Sequence, residues 1–259
     1  MFILCVSWVS GIDYRINLHP VTPIQTYALN KLQVALSEAG HTAVSSQSAF
    51  EINFELGGDL ERDAFAILAT PHYLTLKAAD GNGLLYGALD IVESIRSGTY
   101  LDQFSNKSES PANAFRAIKF NLPWRSYRFG PALSQHMETA RDLAFWERFL
   151  DMMVENRFNA LTLWNLHPFS NMIRARNFPF ACDLKNDEEL ADWQNFYHEL
   201  FRLAMERGID TYIVNWNIFV PDGFVEHYGL PRDQNIHKWN GTVSQEMDEI
   251  IRRYTRESV

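Results

Sequence analysis

Two hydrophobic periods alternate along the chain. Residues 14–18 alternate apolar and polar positions, which predicts a half-buried strand. Thr22 then stands as an N-cap, with Pro23 at the first helical position and Gln25 completing a capping box. Ile24, Ala28, Leu32, Ala35, Leu36 and Ala39 recur at helical spacing up to Gly40, a residue suited to ending a helix. Strands are predicted at 41–45, 50–56, 64–69 and 73–78. The turn Asp80-Gly81-Asn82-Gly83 leads into a second helix over 84–96. Residues 1–100 therefore read as a small α/β domain, and the polar stretch 101–114 as a linker.

Beyond the linker one pattern repeats three times. A strand over 115–122 leads to a helix from about 143 to 156, with Trp146, Phe149, Leu150 and Met153 on one face. A strand over 159–164 is followed by a helix opened by Asn186 and closed by Gly208. Its inward positions are Leu190, Trp193, Tyr197, Leu200, Phe201 and Ala204. A third strand, 210–214, precedes a helix over 243–256 with Thr242 and Gln245 as its capping box. Crossovers of this size require parallel strands, and those crossovers are right-handed. The sheet closes as a (β/α)8 barrel or stays open and doubly wound. No glycine-rich phosphate loop follows any strand, and the long loops all follow strand C-termini, which favours the barrel. Eight units take about 250 residues, so 115–259 holds an incomplete barrel. The expectation is an α/β chain, an accessory domain followed by the first three βα units of a barrel. It would be the front part of a longer protein, with an exposed barrel edge open to association.

Composition narrows the chemistry. Lys plus Arg number 23 against 32 Asp plus Glu, a net charge of −9, which argues against a partner read through phosphates. Two cysteines, Cys5 and Cys182, cannot build a disulfide framework or a cysteine-only zinc site. The eight histidines form no HxH or HExxH arrangement, so no metal or cofactor is implied. No apolar run reaches the roughly 18 residues that cross a bilayer. Residues 1–9 are apolar but lack a basic flank and a small-residue cleavage site; they read equally as a signal remnant or a first strand. Localisation is not legible from them.

Aromatics make up 14% of the chain, and some of them recur with amides where the strands end. The first strand end carries Asn121, Trp124 and Arg125, the second Trp164, Asn165 and His167, the third Asn215 and Asn217 around Trp216. Asn offers donor and acceptor to hydroxyls, and indole offers an apolar face with one N–H. That set suits a sugar. For any single residue, packing or turn formation is the commoner role; the recurrence at three strand ends raises the functional reading. Strand alternation puts Asn215 and Asn217 on one side and Trp216 on the other. No pair of carboxylates of the kind glycoside hydrolysis uses stands at these ends. Asp187, Glu188 and Glu189 read as first-turn helix acids, and Asp222 and Glu226 as solvated loop charge.

These residues carry a family likeness. Residues 116–221 resemble the opening of the catalytic barrel of α-glucuronidases that trim xylan side chains. Leu161-Thr162-Leu163-Trp164-Asn165-Leu166-His167 is similar to that family's second-strand motif ending in Asn-Asn-Val-Asn, with Trp164 and His167 departing from it. Residues 207–221, through Asn217-Ile218-Phe219-Val220-Pro221, resemble its third strand. Upstream, Tyr27-Ala28-Leu29-Asn30-Lys31-Leu32 and Gly83-Leu84-Leu85-Tyr86-Gly87-Ala88-Leu89 resemble the accessory domain shared with β-hexosaminidases. In the latter family the first barrel strand begins with a sugar-binding arginine, which Arg116 would match. The Asp of its second-strand His-Leu-x-Asp run and a third-strand carboxylate are missing here.

The resemblance implies an α-glucuronidase-like glycoside hydrolase acting on a polysaccharide or oligosaccharide, periplasmic or secreted. In both families the catalytic carboxylates lie on later strands, so it implies a chain without them. Asn121, Trp124, Arg125, Trp164, Asn165, His167, Asn215 and Asn217 would bind the sugar, with Arg125 pairing a uronate carboxylate. The alternatives are a β-hexosaminidase-like enzyme, a non-catalytic carbohydrate-binding protein on the same fold, and an unrelated open-sheet α/β enzyme.

Overall fold

The computed structural model describes residues 11–124, 130–165, 171–182, 184–214, 220–230 and 245–258, and the chain divides into two compact units. Unit 1 is the chain up to Arg116 with Val154–Arg157 and Met205–Gly208; unit 2 is the remainder. The reading of residues 1–9 and the capping residue Thr242 lie outside the described residues.

Unit 1 runs β1 (Asp13–Asn17), α1 (Pro23–Glu38), β2 (Thr42–Ala43), β3 (Phe50–Leu56), β4 (Phe65–Ala69), β5 (Tyr73–Ala78), α2 (Gly81–Arg96) and β6 (Lys107–Glu109). The sheet order is β2-β1-β3-β5-β4-β6, parallel through β5 and antiparallel at β4 and β6. Alternate strand positions Phe50, Ile52, Ile67, Leu74 and Leu76 share a buried core with Leu32 and Leu36 of α1 and Leu84, Leu85 and Ile91 of α2. Each such side chain contributes about 1.5–3 kcal/mol by leaving water.

The caps explain where the helices start. Thr22 Oγ1 accepts from the Gln25 N–H while Gln25 Oε1 accepts from the Thr22 and Val21 N–H groups, the predicted capping box. The turn predicted at 80–83 is instead the first turn of α2. Asp80 caps it, one carboxylate oxygen accepting from the Gly83 N–H (2.8 Å) and the other from the Asp63 N–H (3.0 Å). Gly83 is required there, because a Cβ would strike the Ala64 carbonyl oxygen.

Two further differences have local causes. The strand expected over 41–45 shrinks to Thr42–Ala43, which pairs with Asp13 and Tyr14, while His41 turns its ring to the backbone. Residues 107–109, inside the stretch read as a linker, form β6 on β4. Lys107 is anchored by Asp90 at 2.7 Å. Its charged sequence suits an edge that must not pair with another chain.

Unit 2 contains β7 (Ala117–Asn121), α3 (Pro131–Gln135), α4 (Met137–Arg141), α5 (Leu143–Glu155, whose last two residues belong to unit 1), β8 (Ala160–Trp164), α6 (Asp187–Glu206), β9 (Asp210–Val214), α7 (Asp222–Tyr228) and α8 (Gln245–Ser258). Its strands are parallel in chain order, β7-β8-β9. Consecutive right-handed crossovers in one direction keep their helices on one face, as at the opening of a (β/α)8 barrel. That face is aromatic: Phe120 meets Trp146 and Phe149, ring centroids 4.7 and 5.5 Å away. Trp146 is fully buried and donates its indole N–H to the Ala140 carbonyl at 2.7 Å. The short helices α3, α4 and α7 fall where the sequence reads as loop, because five to seven residues carry too little periodicity.

His41 makes unit 1 sensitive to acid. It is buried, and its Nδ1 accepts the Ile12 backbone N–H at 3.1 Å, so the ring must be neutral. Burial pushes its pKa below the ordinary 6.5. The unfolded chain therefore takes up a proton first, and this contribution is complete above pH 6.5 and lost as pH falls below it. Thermal unfolding should show a drop in Tm between about pH 7.5 and about pH 5.5 that shrinks in His41→Asn, which keeps an acceptor without titrating. An equal drop in the variant would refute the assignment.

Candidate functional site

Parallel pairing in register levels the strand ends. Asn121, Trp164 and Val214 are partners across β7, β8 and β9, so all three strands finish at one edge of the sheet. Asn121 and Trp164 stand at that edge, and the other candidates come within a few positions of it in the sequence. Because side chains alternate, Lys119 and Asn121, Thr162 and Trp164, and Tyr212 stand on the face opposite to Phe120. Lys119 Nζ lies over the Trp164 ring, 3.3 Å from its centroid, a cation–π contact. Trp164 is partly exposed and Tyr212 is 46% exposed.

Asn121 carries an unmet demand. Its side-chain oxygen is shut off from solvent and accepts no hydrogen bond. Such an orphan costs about 1–3 kcal/mol, which an incoming donor would recover.

The predicted residues divide. Asn121 and Trp164 come together on the edge of the open face. Trp124 does not join them as a sugar platform. It is 5% exposed and donates its indole N–H to the Tyr197 hydroxyl at 2.9 Å. Its ring packs on Trp193, Phe196 and Tyr197 of α6. Burial raises the pKa of that phenol, which stays neutral, and Arg141 covers Trp193 at 4.0 Å. Asn165 is buried beside Trp164. Arg125, His167, Asn215 and Asn217 lie outside the described residues.

Arg116, matched by resemblance to a sugar-binding arginine, is employed in unit 1 instead. It precedes β7, at the strand end away from Asn121. Its guanidinium donates to the Arg157 and Asn113 carbonyls, to Asp63 at 2.8 Å and to the Tyr86 hydroxyl at 3.2 Å. Conversely, Lys119 and Tyr212 belong to the candidate face and were missed. Period-two spacing from Asn121 was the signal for Lys119.

The segments that follow β8 and β9 are tied to each other by an aromatic cluster. Phe178 stacks near Phe224 and edge-on to Tyr254, with Ile251 and Val220 closing the group. His227 lies flat on Phe180 at 3.7 Å. Glu257 of α8 accepts from both the backbone and the side-chain N–H of Asn177, which holds its carboxyl below the usual range. Asp187, in the first turn of α6, pairs with Arg174 at 2.8 Å. Among the described residues no group of three His, Cys, Asp or Glu side chains could hold a metal ion, and no helix is long and apolar enough to cross a membrane.

No protein-family model matches the chain, and no curated protein matches it in sequence. Solved structures do. A GH138 enzyme targeting pectin rhamnogalacturonan II superposes with a TM-score of 0.79 at 25% identity, over 95% of this chain and 36% of that one. The GH20 β-N-acetylhexosaminidase of Streptomyces coelicolor A3(2) gives a TM-score of 0.51 at 13% identity, covering 78% of this chain and 41% of that one. A Streptomyces plicatus β-hexosaminidase variant in complex with GlcNAc gives 0.50 at 15% identity, covering 80% and 41%. The chain thus has a glycoside-hydrolase-like fold and spans well under half of each of these proteins.

Trp124 and Trp164, both at strand ends, should separate by experiment. Trp124→Ala opens a cavity and strands Tyr197, and should cost about 3–5 kcal/mol in denaturant unfolding. Trp164→Ala should cost far less. Similar losses at both positions would contradict the division.

Proposed function

We propose that the chain is the opening part of a glycoside hydrolase acting on a polysaccharide or oligosaccharide. In this reading residues 1–100 are an accessory α/β domain, 101–114 its connection, which adds the edge strand β6 to that domain's sheet, and 115–259 the first units of a barrel. The likeness to the GH138 enzyme over 95% of the chain is the observation that carries it. The level strand ends support it from within, since barrel enzymes place their chemistry at that edge.

Asn121 and Trp164 contact the sugar, joined by Arg125, His167, Asn215 and Asn217, while buried Asn165 and Trp124 position them. The substrate carries a uronic acid, as in the α-glucuronidases the motifs resemble. Arg125 supplies the planar fork that a carboxylate accepts in two bonds. A pectic polymer is consistent with the target of the GH138 enzyme. Hydrolysis needs a carboxylic acid on the leaving oxygen and a second carboxylate to attack or to activate water. Both come from outside these strand ends. The open face of the β7–β9 sheet, with Tyr212 exposed, is where further barrel elements associate.

Calorimetric titration of the intact protein with a uronate-terminated oligosaccharide and its neutral counterpart tests this reading. Arg125→Ala should weaken the acidic ligand about 10–100-fold, the value of hydrogen bonds to a charged group, and spare the neutral one. Trp164→Ala should weaken both. Equal losses on Arg125→Ala would remove the uronate assignment, and absence of binding to either sugar would remove the carbohydrate reading.

A further inference from the structure

The unit 1 sheet buries one face under its helices and leaves the other polar. On that second face the register aligns Arg15, Glu51 and Tyr73 in one row across β1, β3 and β5, and Asn17 with Asn53 in the next. The charges cancel pairwise: Arg15 pairs with Glu51, and Lys77 with Glu55 at 2.9 Å. Asn17 donates its amide to the Asn53 oxygen at 2.7 Å, which leaves the Asn17 oxygen and the Asn53 NH2 to face outward. Tyr73 ends its row 45% exposed, and Leu68 nearby on β4 is 39% exposed. Around the β1 edge, where the rows end, a hollow of about 480 Å³ is lined by Arg15, Asn17, His19 and Ser45 together with Ile16, Val44 and, from α1, Gln33.

We infer that this face is a second glycan-contact surface, and that its occupant is an uncharged stretch of polysaccharide lying across the strands. The proposal rests on the carbohydrate reading of the chain and extends it to a site remote in sequence from Asn121 and Trp164. Charge selects the occupant. Two internal ion pairs, with Asp13 beside them, leave the face without the excess positive charge that a polyanion, a nucleic acid or an anionic membrane needs. What remains is a donor and an acceptor fixed by the Asn17–Asn53 bond, a tyrosine ring and, at the β1 edge, a hollow of mixed polar and apolar lining. Hydroxyls satisfy the first two, and the C–H face of a pyranose covers the third. From β1 to β5 the rows span about 10 Å, two inter-strand spacings, enough for more than one sugar unit.

Electrophoresis of the whole chain through gels containing soluble galactan, arabinan or xylan, with polygalacturonate in a parallel gel, provides the test. At least one neutral polymer should retard the chain, and Tyr73→Ala should weaken that retardation about tenfold in apparent Kd. Tyr73→Phe, which keeps the ring, should retain it, and Asn17→Ala should weaken it at an exposed position where folding is not at stake. Retardation by polygalacturonate alone, or by none of the polymers, would overturn the proposal. If Tyr73→Ala and Asn17→Ala change nothing while Trp164→Ala abolishes retardation, this surface is refuted and the proposed function stands.

Discussion

Parallel strands cannot be joined by a tight turn, and the arrangement of unit 2 follows from that constraint. Each return to the same strand direction requires a crossover, and each crossover brings a helix onto one face of the sheet. Phe120, Leu161 and Leu163 meet that helical layer, with Trp146 at its centre. The same constraint sends the loop after every strand out of one edge. Asn121, Trp164 and Val214 finish level because their strands pair in register. The candidate site is therefore a consequence of how the backbone is satisfied, and only its side chains are free to encode a ligand.

Aromatic content, high at 14%, acquires a different meaning once the rings are placed. Trp146, Trp193 and Trp124 are buried, and Phe178 and Phe224 join two connecting segments. Trp164 is the described tryptophan of the strand ends that keeps some surface toward solvent. Most of the aromatic signal was packing, and one ring of the two described strand-end tryptophans serves the candidate site.

Legibility in the sequence tracked the range of the forces involved. β3, β5 and β9 fall where alternation placed them, and the Thr22 capping box forms as its spacing implied. These are local effects, complete within a few residues. β6 was hidden because Lys-Ser-Glu has no apolar alternation, and its strand conformation comes from β4, forty residues away in sequence. The fates of Trp124 and Trp164 were hidden for the same reason. Both stand at the ends of apolar strands, and only contacts with a later helix, the rings of Trp193, Phe196 and Tyr197 and the Tyr197 hydroxyl, hold the first in the interior. The surroundings of Arg116 were hidden too: its four partners Asp63, Tyr86, Asn113 and Arg157 come from four separated stretches of chain that no local pattern brings together.

The aromatic cluster of Phe178, Phe224 and Tyr254 has a consequence for motion. It fastens the segment after β8, the segment after β9 and helix α8 to one another at a single point, with Glu257 clasping Asn177 beside it. The described parts of the two segments therefore share one set of ring contacts, so that displacing either exposes apolar surface of the other.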